Sequence, residues 1–350
     1  MPDPTTKTPV FRPAWLRVVL FGCAFCLITL LIAVPAIMAL TGTGWQDLLS
    51  DPVGSVSKLL TGNYLWLLIL LEFVISLLSV SIFCWLIDRQ EDVRGNVRNT
   101  RGTKGTNEAE RGTKFGRSSK RERRGRAGQK WSDLGWWTLD TFVPEAIAGL
   151  FLGPALLGLA SIGMLLSGHL EWTDIVWDPN ALFISLGYMV LIAFSEELVF
   201  RGYILGNLLE TFSNKWIALG ISAVLFTGYH FASPGTHALA FFNLFLAGIL
   251  LGLNYIYTKN LWFSFMLHLS WNFFEGPLLG FKVSGINFPS LLQAETKGDL
   301  MITGGDFGLE GSMLVMLLLL TTILILAWAF QRKYGAPALR PGAASSRLKA

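Results

Sequence analysis

The sequence predicts an all-α, polytopic membrane protein of about eight transmembrane helices. Three observations carry that expectation. Only 15% of the 350 residues are charged and 52% are hydrophobic, where a soluble domain of this length would carry about a quarter charged residues. The apolar residues fall in long runs of membrane-crossing length. Many of the 13 Trp and 25 Phe sit near the ends of those runs, as in interfacial aromatic belts.

Taken in order, the spans are expected at about 17–40, 64–87, 143–168, 181–201, 215–231, 238–256, 261–280 and 312–330. The first is uncharged from Val18 to Leu40. It is too long for the apolar region of a signal peptide, and no convincing small-residue cleavage site follows, so it reads as a retained anchor. The segments 1–17, 88–141, 210–215, 257–260 and 331–350 hold most of the Lys and Arg. Those at 41–63, 169–180, 232–237 and 281–311 hold few, with several acids. The two kinds alternate. Eight spans with both termini in the cytoplasm require that alternation under the positive-inside rule. The expected setting is a bacterial inner membrane.

Half of the 28 Lys and Arg lie between Arg89 and Lys130, interleaved with Gly, Ser, Thr and Asn. Few apolar residues accompany them, so 88–141 reads as a cytoplasmic loop without a core. Its expected partner is anionic lipid headgroups. It lacks the aromatic interleaving of a nucleic-acid-binding arm, so nucleic acid is not expected as a partner. The chain therefore divides into two N-terminal helices (1–87), this loop, a helical core (142–282), an external loop (283–311), and a last helix with a basic tail (312–350).

Polar groups inside apolar helices are costly and mark candidate functional sites. Glu196 and Glu197 stand side by side in Phe194-Ser195-Glu196-Glu197-Leu198-Val199-Phe200-Arg201. Neighbours on a helix point about 100° apart, so the two are not expected to face one partner. Glu197 and Arg201, four apart, share a face and form an expected ion pair. Glu196 is left for proton transfer. His230 ends the fifth span in Phe226-x-x-x-His230, before the helix-stopping Pro234 and Gly235. His268 and Asn272, four apart, share a face of the seventh span. They suit an oxyanion clamp or interhelical hydrogen bonds. Together Glu, His, His and Asn can polarise a water and stabilise a tetrahedral oxyanion, the requirements of peptide hydrolysis.

Other polar groups read as structural. Glu72 is a lone buried acid without an obvious partner. Glu145 follows Pro144 at a helix start, where the helix dipole favours an acid. His169 is interfacial, and His237 lies in a loop. Cys23, Cys26 and Cys84 lie in apolar runs and read as packing residues. No phosphate-binding loop, Ser–His–Asp arrangement or His-Glu-x-x-His motif occurs.

In order, spacing and helical context, Glu196-Glu197-x-x-x-Arg201, Phe226-x-x-x-His230 and His268-x-x-x-Asn272 resemble the three motifs of the CPBP family. These are the CAAX prenyl protease type II and bacteriocin-processing (Abi) intramembrane proteases. The resemblance covers about residues 142–282 and implies an intramembrane endopeptidase. Glu196 and His230 would activate water, His268 and Asn272 would form the oxyanion site, and Glu197 with Arg201 would support them. Zinc held by Glu196, His230 and His268 is one reading of the set. Metal-independent glutamate chemistry is the other, and is preferred because Asn272 suits an oxyanion donor better than a ligand. The implied substrate is a membrane-associated protein or peptide, prenylated or leader-like, reached through a water-filled cavity open to the cytoplasm. Two non-proteolytic readings stand beside it. One is a non-catalytic membrane scaffold or bacteriocin self-immunity protein. The other is a proton-coupled transporter, disfavoured because no inverted repeat is evident. Counting along the spans leaves one conflict: His230 falls towards the outer end of its helix, whereas Glu196 and His268 fall nearer the cytoplasm.

Overall fold

A computed structural model describes residues 13–41, 44, 46, 50, 51, 64–102, 131–136 and 142–334. Within them the chain is a helical assembly with one small sheet. Its helices are α1 (Ala14–Thr41), α2 (Leu65–Gly102), α3 (Phe142–Leu166), α4 (Pro179–Glu196), α5 (Gly206–Thr211), α6 (Lys215–Tyr229), α7 (Ala238–Leu253), α8 (Trp262–Phe273) and α9 (Met313–Tyr334). A π-helical stretch, Glu197–Leu205, joins α4 to α5. A second one, Phe274–Leu278, extends α8.

Among the described residues, six helical stretches are long and apolar enough to cross a membrane: Ala14–Ile32, Leu65–Ile87, Val143–Leu166, Pro179–Thr211, Ala238–Thr258 and Met313–Tyr334. The expected fifth and seventh spans are shorter. α6 has 15 residues, or about 22 Å at 1.5 Å per residue, against a hydrocarbon core of roughly 30 Å. α8 has 12. α8 is largely buried among other helices, whereas α6 keeps an exposed apolar face at Ile217, Val224 and Leu225.

Small residues bring the inner helices close. α3 and α8 pack along Gly149 and Gly153. A Cβ added at Gly149 would lie 2.4 Å from the Phe263 carbonyl oxygen, and one at Gly153 would lie 2.8 Å from Ser270 Oγ. Ser270 Oγ donates back to the Gly149 carbonyl at 3.3 Å. Such Gly-x-x-x-Gly faces let membrane helices approach to backbone contact. α6 meets α7 the same way, with Gly248 against Ala223. α2 packs on α4, and α1 packs on α2 and α5. Buried Arg17 of α1 pairs with Glu210 of α5.

Two expectations need correction. The α2 backbone stays helical to Gly102, where a coreless loop was expected from residue 88. No proline or glycine interrupts residues 88–94, so propensity favours continuation. The remainder of that loop, 103–130, lies outside the described residues. The fold is nearly all α-helical, as expected, and the second expectation to correct is the 283–311 loop. Strand β1 (Leu170–Ile175) pairs antiparallel with β2 (Leu292–Thr296), with an irregularity between Trp172 and Asp174. The sheet anchors the 283–311 segment, expected to be a plain external loop, onto the end of α3. Nearby, Lys282 Nζ lies 2.7 Å from Asp306 and holds that carboxyl below its ordinary range.

Candidate active site

Glu196 ends regular α4, and the π-helical turn begins at Glu197. π-Bulges recur at functional sites because the extra residue re-aims side chains. Here both carboxyls are buried, Glu197 completely. Arg201 Nη1 donates to Glu197 Oε1 at 2.8 Å, as the i,i+4 spacing predicted. Arg201 also donates to the Gly248 carbonyl at 3.4 Å, and its guanidinium lies 4.3 Å from the Phe226 ring centroid. Phe226 thus separates the charge of Arg201 from the residues beyond.

His268 Nδ1 also donates to Glu197 Oε1, at 2.9 Å. Its Nε2 lies 3.9 Å from Glu196 Oε2. The two glutamates therefore do share a partner, contrary to the expectation from regular helix geometry. One imidazole reaches both because its two nitrogens point in different directions.

His230 lies just past α6, where Phe226 O accepts from its Nδ1 at 3.0 Å. A carbonyl only accepts, so the Nδ1 hydrogen is committed there and Nε2 keeps its lone pair. That Nε2 lies 3.9 Å from Glu196 Oε2. Glu196 Oε2 has no hydrogen-bond partner among the described residues. The conflict over the depth of His230 is thereby removed. α6 is short, and its end stops at the level of Glu196.

Asn272, one turn beyond His268, lines the same cavity, as do Glu196, His230 and His268. The cavity encloses about 380 Å³ and is otherwise largely apolar. All six residues singled out in the sequence fall in this region. Glu196, His230, His268 and Asn272 face the cavity; Glu197 and Arg201 sit behind them.

Three contributors were not legible in the sequence. Glu72 of α2 lines the cavity, and Ser195, the residue before Glu196, donates to it at 3.1 Å. Tyr229, the residue before His230, interacts with the same carboxyl. Glu72 is therefore not partnerless. The 283–311 segment enters the wall through Val283, Ser284, Ile286, Phe288 and Glu310. Trp271 fastens it by donating its Nε1 hydrogen between Glu275 and Glu310, at 3.1 and 3.0 Å. Paired acids spread over 35 residues carry no spacing signal that would have revealed this.

His237 and His169 are structural. His237 caps α7 and contacts the Gly304 carbonyl; His169 contacts Ser167. Glu145 accepts from Asn254 at 3.0 Å. Cys23, Cys26 and Cys84 are free thiols, with only Cys84 buried.

A tetrahedral zinc ion with bonds near 2.0–2.1 Å sets its ligand atoms roughly 3.3 Å apart. Both histidine nitrogens lie farther than that from Glu196 Oε2, at 3.9 Å. No group of three or more His, Cys, Asp or Glu among the described residues is arranged to hold a metal. As placed, both histidine nitrogens stand about 0.6 Å farther from Glu196 Oε2 than a tetrahedral zinc ion would hold them.

These features define a class: a multi-pass α-helical membrane protein with a Glu–His–His–Asn constellation facing an intramembrane cavity. Residues 178–274 match the family model described as type II CAAX prenyl endopeptidase Rce1-like. All three motifs lie inside the matched stretch, and α1, α2, α3 and α9 lie outside it. No match to a curated protein or to a solved structure was found.

Proposed function

We propose that the protein is an intramembrane endopeptidase that hydrolyses a peptide bond of a membrane-associated protein or peptide, with Glu196 as general base. One observation carries this reading: the buried, unpartnered Glu196 Oε2 flanked at 3.9 Å by two imidazole nitrogens. A water there donates one hydrogen to Glu196 Oε2 and the other to His230 Nε2. Its lone pairs then face the cavity, where the scissile carbonyl enters. As the oxygen attacks, Glu196 takes the proton. The oxyanion is met by the Asn272 amide and by His268 Nε2–H, whose imidazolium form is balanced by Glu197. Collapse breaks the C–N bond as Glu196 passes its proton to the leaving nitrogen. Arg201 holds Glu197 in place at 2.8 Å, so His268 stays oriented. No step needs a metal.

The cavity's apolar lining supports a lipidated or transmembrane peptide as the substrate class. For the basic segment 89–130, most of it outside the described residues, the proposed partner is anionic headgroups. A bacterial inner membrane with cytoplasmic termini is the proposed location.

The test is cleavage of internally quenched peptides carrying an S-farnesyl cysteine or a transmembrane segment. It uses purified full-length protein and its Glu196→Ala and His230→Ala variants. Activity in the wild type that is lost in both variants is the expected result. Equal activity in either variant overturns the mechanism. A folded wild type that cleaves neither peptide class, nor any precursor in cells, favours the non-catalytic scaffold or self-immunity role.

A further inference from the structure

The charge of this protein is polarised along the helix axes. One end carries Arg17, Lys215, Lys259, Arg332 and Lys333. Physical contacts show that this is a single end. Arg17 pairs with Glu210. Lys215 Nζ lies 3.2 Å from the Tyr257 ring centroid, and Tyr257 packs on Phe330 and Tyr334. Leu261, just past Lys259, donates its N–H to Gly135, so residues 131–136, which close the basic segment, dock here too. Half of the chain's Lys and Arg lie in 89–130, between α2 and that docked stretch. The opposite end holds the β1–β2 sheet, residues 233–237 and the 281–311 segment. Its charged residues are mostly acids: Glu171, Asp174, Asp178, Glu295, Asp299 and Asp306, against Lys282 and Lys297.

The cavity belongs to the second end. Its walls come from the later part of α1 (Phe25, Thr29, Val34), the first turns of α2 (Leu65 to Ile75) and the last turn of α6. Ala232, Ser233, Val283–Phe288 and Glu310 add to it, and Leu250 and Leu251 of α7 with Leu267 of α8 bound its inner side. No lining residue comes from α5, from residues 131–136 or from the Tyr257–Lys259 turn. The cavity therefore runs from the middle of the assembly towards the acidic end.

Basic loops stay in the cytoplasm. Resting on the protease reading above, we infer that the site takes its substrate from the non-cytoplasmic half of the membrane. The expected opening to the cytoplasm is thereby replaced. The substrate class becomes the membrane-embedded or lipid-anchored segment of an exported or membrane-inserted chain, cut on the non-cytoplasmic side. The carboxyl groups of the lining are Glu72, Glu196 and Glu310, and it contains no Lys or Arg, so His230 and His268 are the groups able to meet a negative charge there.

The test separates sidedness from catalysis. In full-length protein with Cys23, Cys26 and Cys84 replaced by Ser, single Ser233→Cys, Asp306→Cys and Lys215→Cys variants are treated with a membrane-impermeant maleimide. Intact cells and inverted membrane vesicles are compared. Asp306→Cys and Ser233→Cys are expected to label in intact cells, and Lys215→Cys only in inverted vesicles. Labelling of the first two only in inverted vesicles overturns the inference, whether or not the protein cleaves anything. Labelling of Asp306→Cys from outside while Ser233→Cys reacts only from the cytoplasmic face also overturns it. In sealed proteoliposomes, a water-soluble quenched peptide with one S-farnesyl cysteine is supplied to one face at a time. Cleavage at least tenfold faster from the Asp306 face is expected. Equal or faster cleavage from the Lys215 face rejects the inference. Absence of cleavage from both faces counts against the protease reading and leaves the labelling result to decide sidedness.

Discussion

His268 stands between the two adjacent glutamates, with Nδ1 2.9 Å from Glu197 Oε1. That hydrogen bond fixes the ring so that Nε2 faces Glu196. Glu197, held in turn by Arg201 at 2.8 Å, thus acts on the site through the histidine. The two carboxyls differ in role because Glu196 lines the cavity, whereas Glu197 sits behind it with Oε1 held by Arg201 and His268.

Replacing Glu196 with Gln keeps shape and volume but removes the base. Peptide cleavage is expected to fall by about 10²–10⁴-fold in kcat, the usual worth of a positioned general base. The thermal melt should stay near wild type. Steady-state kinetics beside a melt in the same detergent checks both halves, and a variant within a few-fold of wild-type kcat would remove Glu196 from the mechanism.

Glu197 and Arg201 form a fully buried pair, at 0% and 1% side-chain exposure. Breaking a buried pair from one side costs roughly 3–5 kcal/mol, because the surviving charge is left uncompensated. Glu197→Gln and Arg201→Met should each lower the unfolding midpoint markedly, and the double variant should lose less than the sum. Denaturant titrations of the three variants form the cycle; strict additivity would show that the pair is not coupled.

Gly153→Leu places a side chain where the Trp271 backbone nitrogen lies only 2.9 Å from an added Cβ. Overpacking costs typically 1–3 kcal/mol. Because α8 carries His268 and Asn272, activity should fall together with stability. Gly158→Leu, on the same helix with nothing within 4 Å of an added Cβ, is the matched control and should change neither.

Glu72→Gln keeps a group that can accept from Ser195, and a single neutral hydrogen bond is worth about 1 kcal/mol. Its cleavage rate should stay within about tenfold of wild type. Glu72→Leu should lose more, since Ser195 beside Glu196 and Tyr229 beside His230 both lose their partner. Comparing the two rates decides whether α2 helps to shape the site.

Metal removal should have little effect. Dialysis against a chelator is expected to leave cleavage within about twofold of the untreated protein, with metal content measured on the same sample. Loss of activity restored by zinc alone would mean that the site contracts around an ion, and would overturn the water-activation scheme.

The sequence by itself determined the membrane class, the approximate positions of the helices, and the six polar residues of the site. Each of these rests on local information: run length, hydropathy and i,i+4 spacing, which place Glu197 with Arg201 and His268 near Asn272. Only the tertiary structure decided three further matters. It brought His230 level with Glu196, because α6 is short and packs against α7 and the π-helical turn. It let one imidazole meet both glutamates through a π-helical turn that no residue pattern announces. And it placed Glu72 and Glu310 in the same cavity wall, although they lie 124 and 114 residues from Glu196. Convergence of that kind depends on how helices are packed side by side, as at Gly149 and Gly153, and contacts distant in sequence leave no periodic trace along the chain.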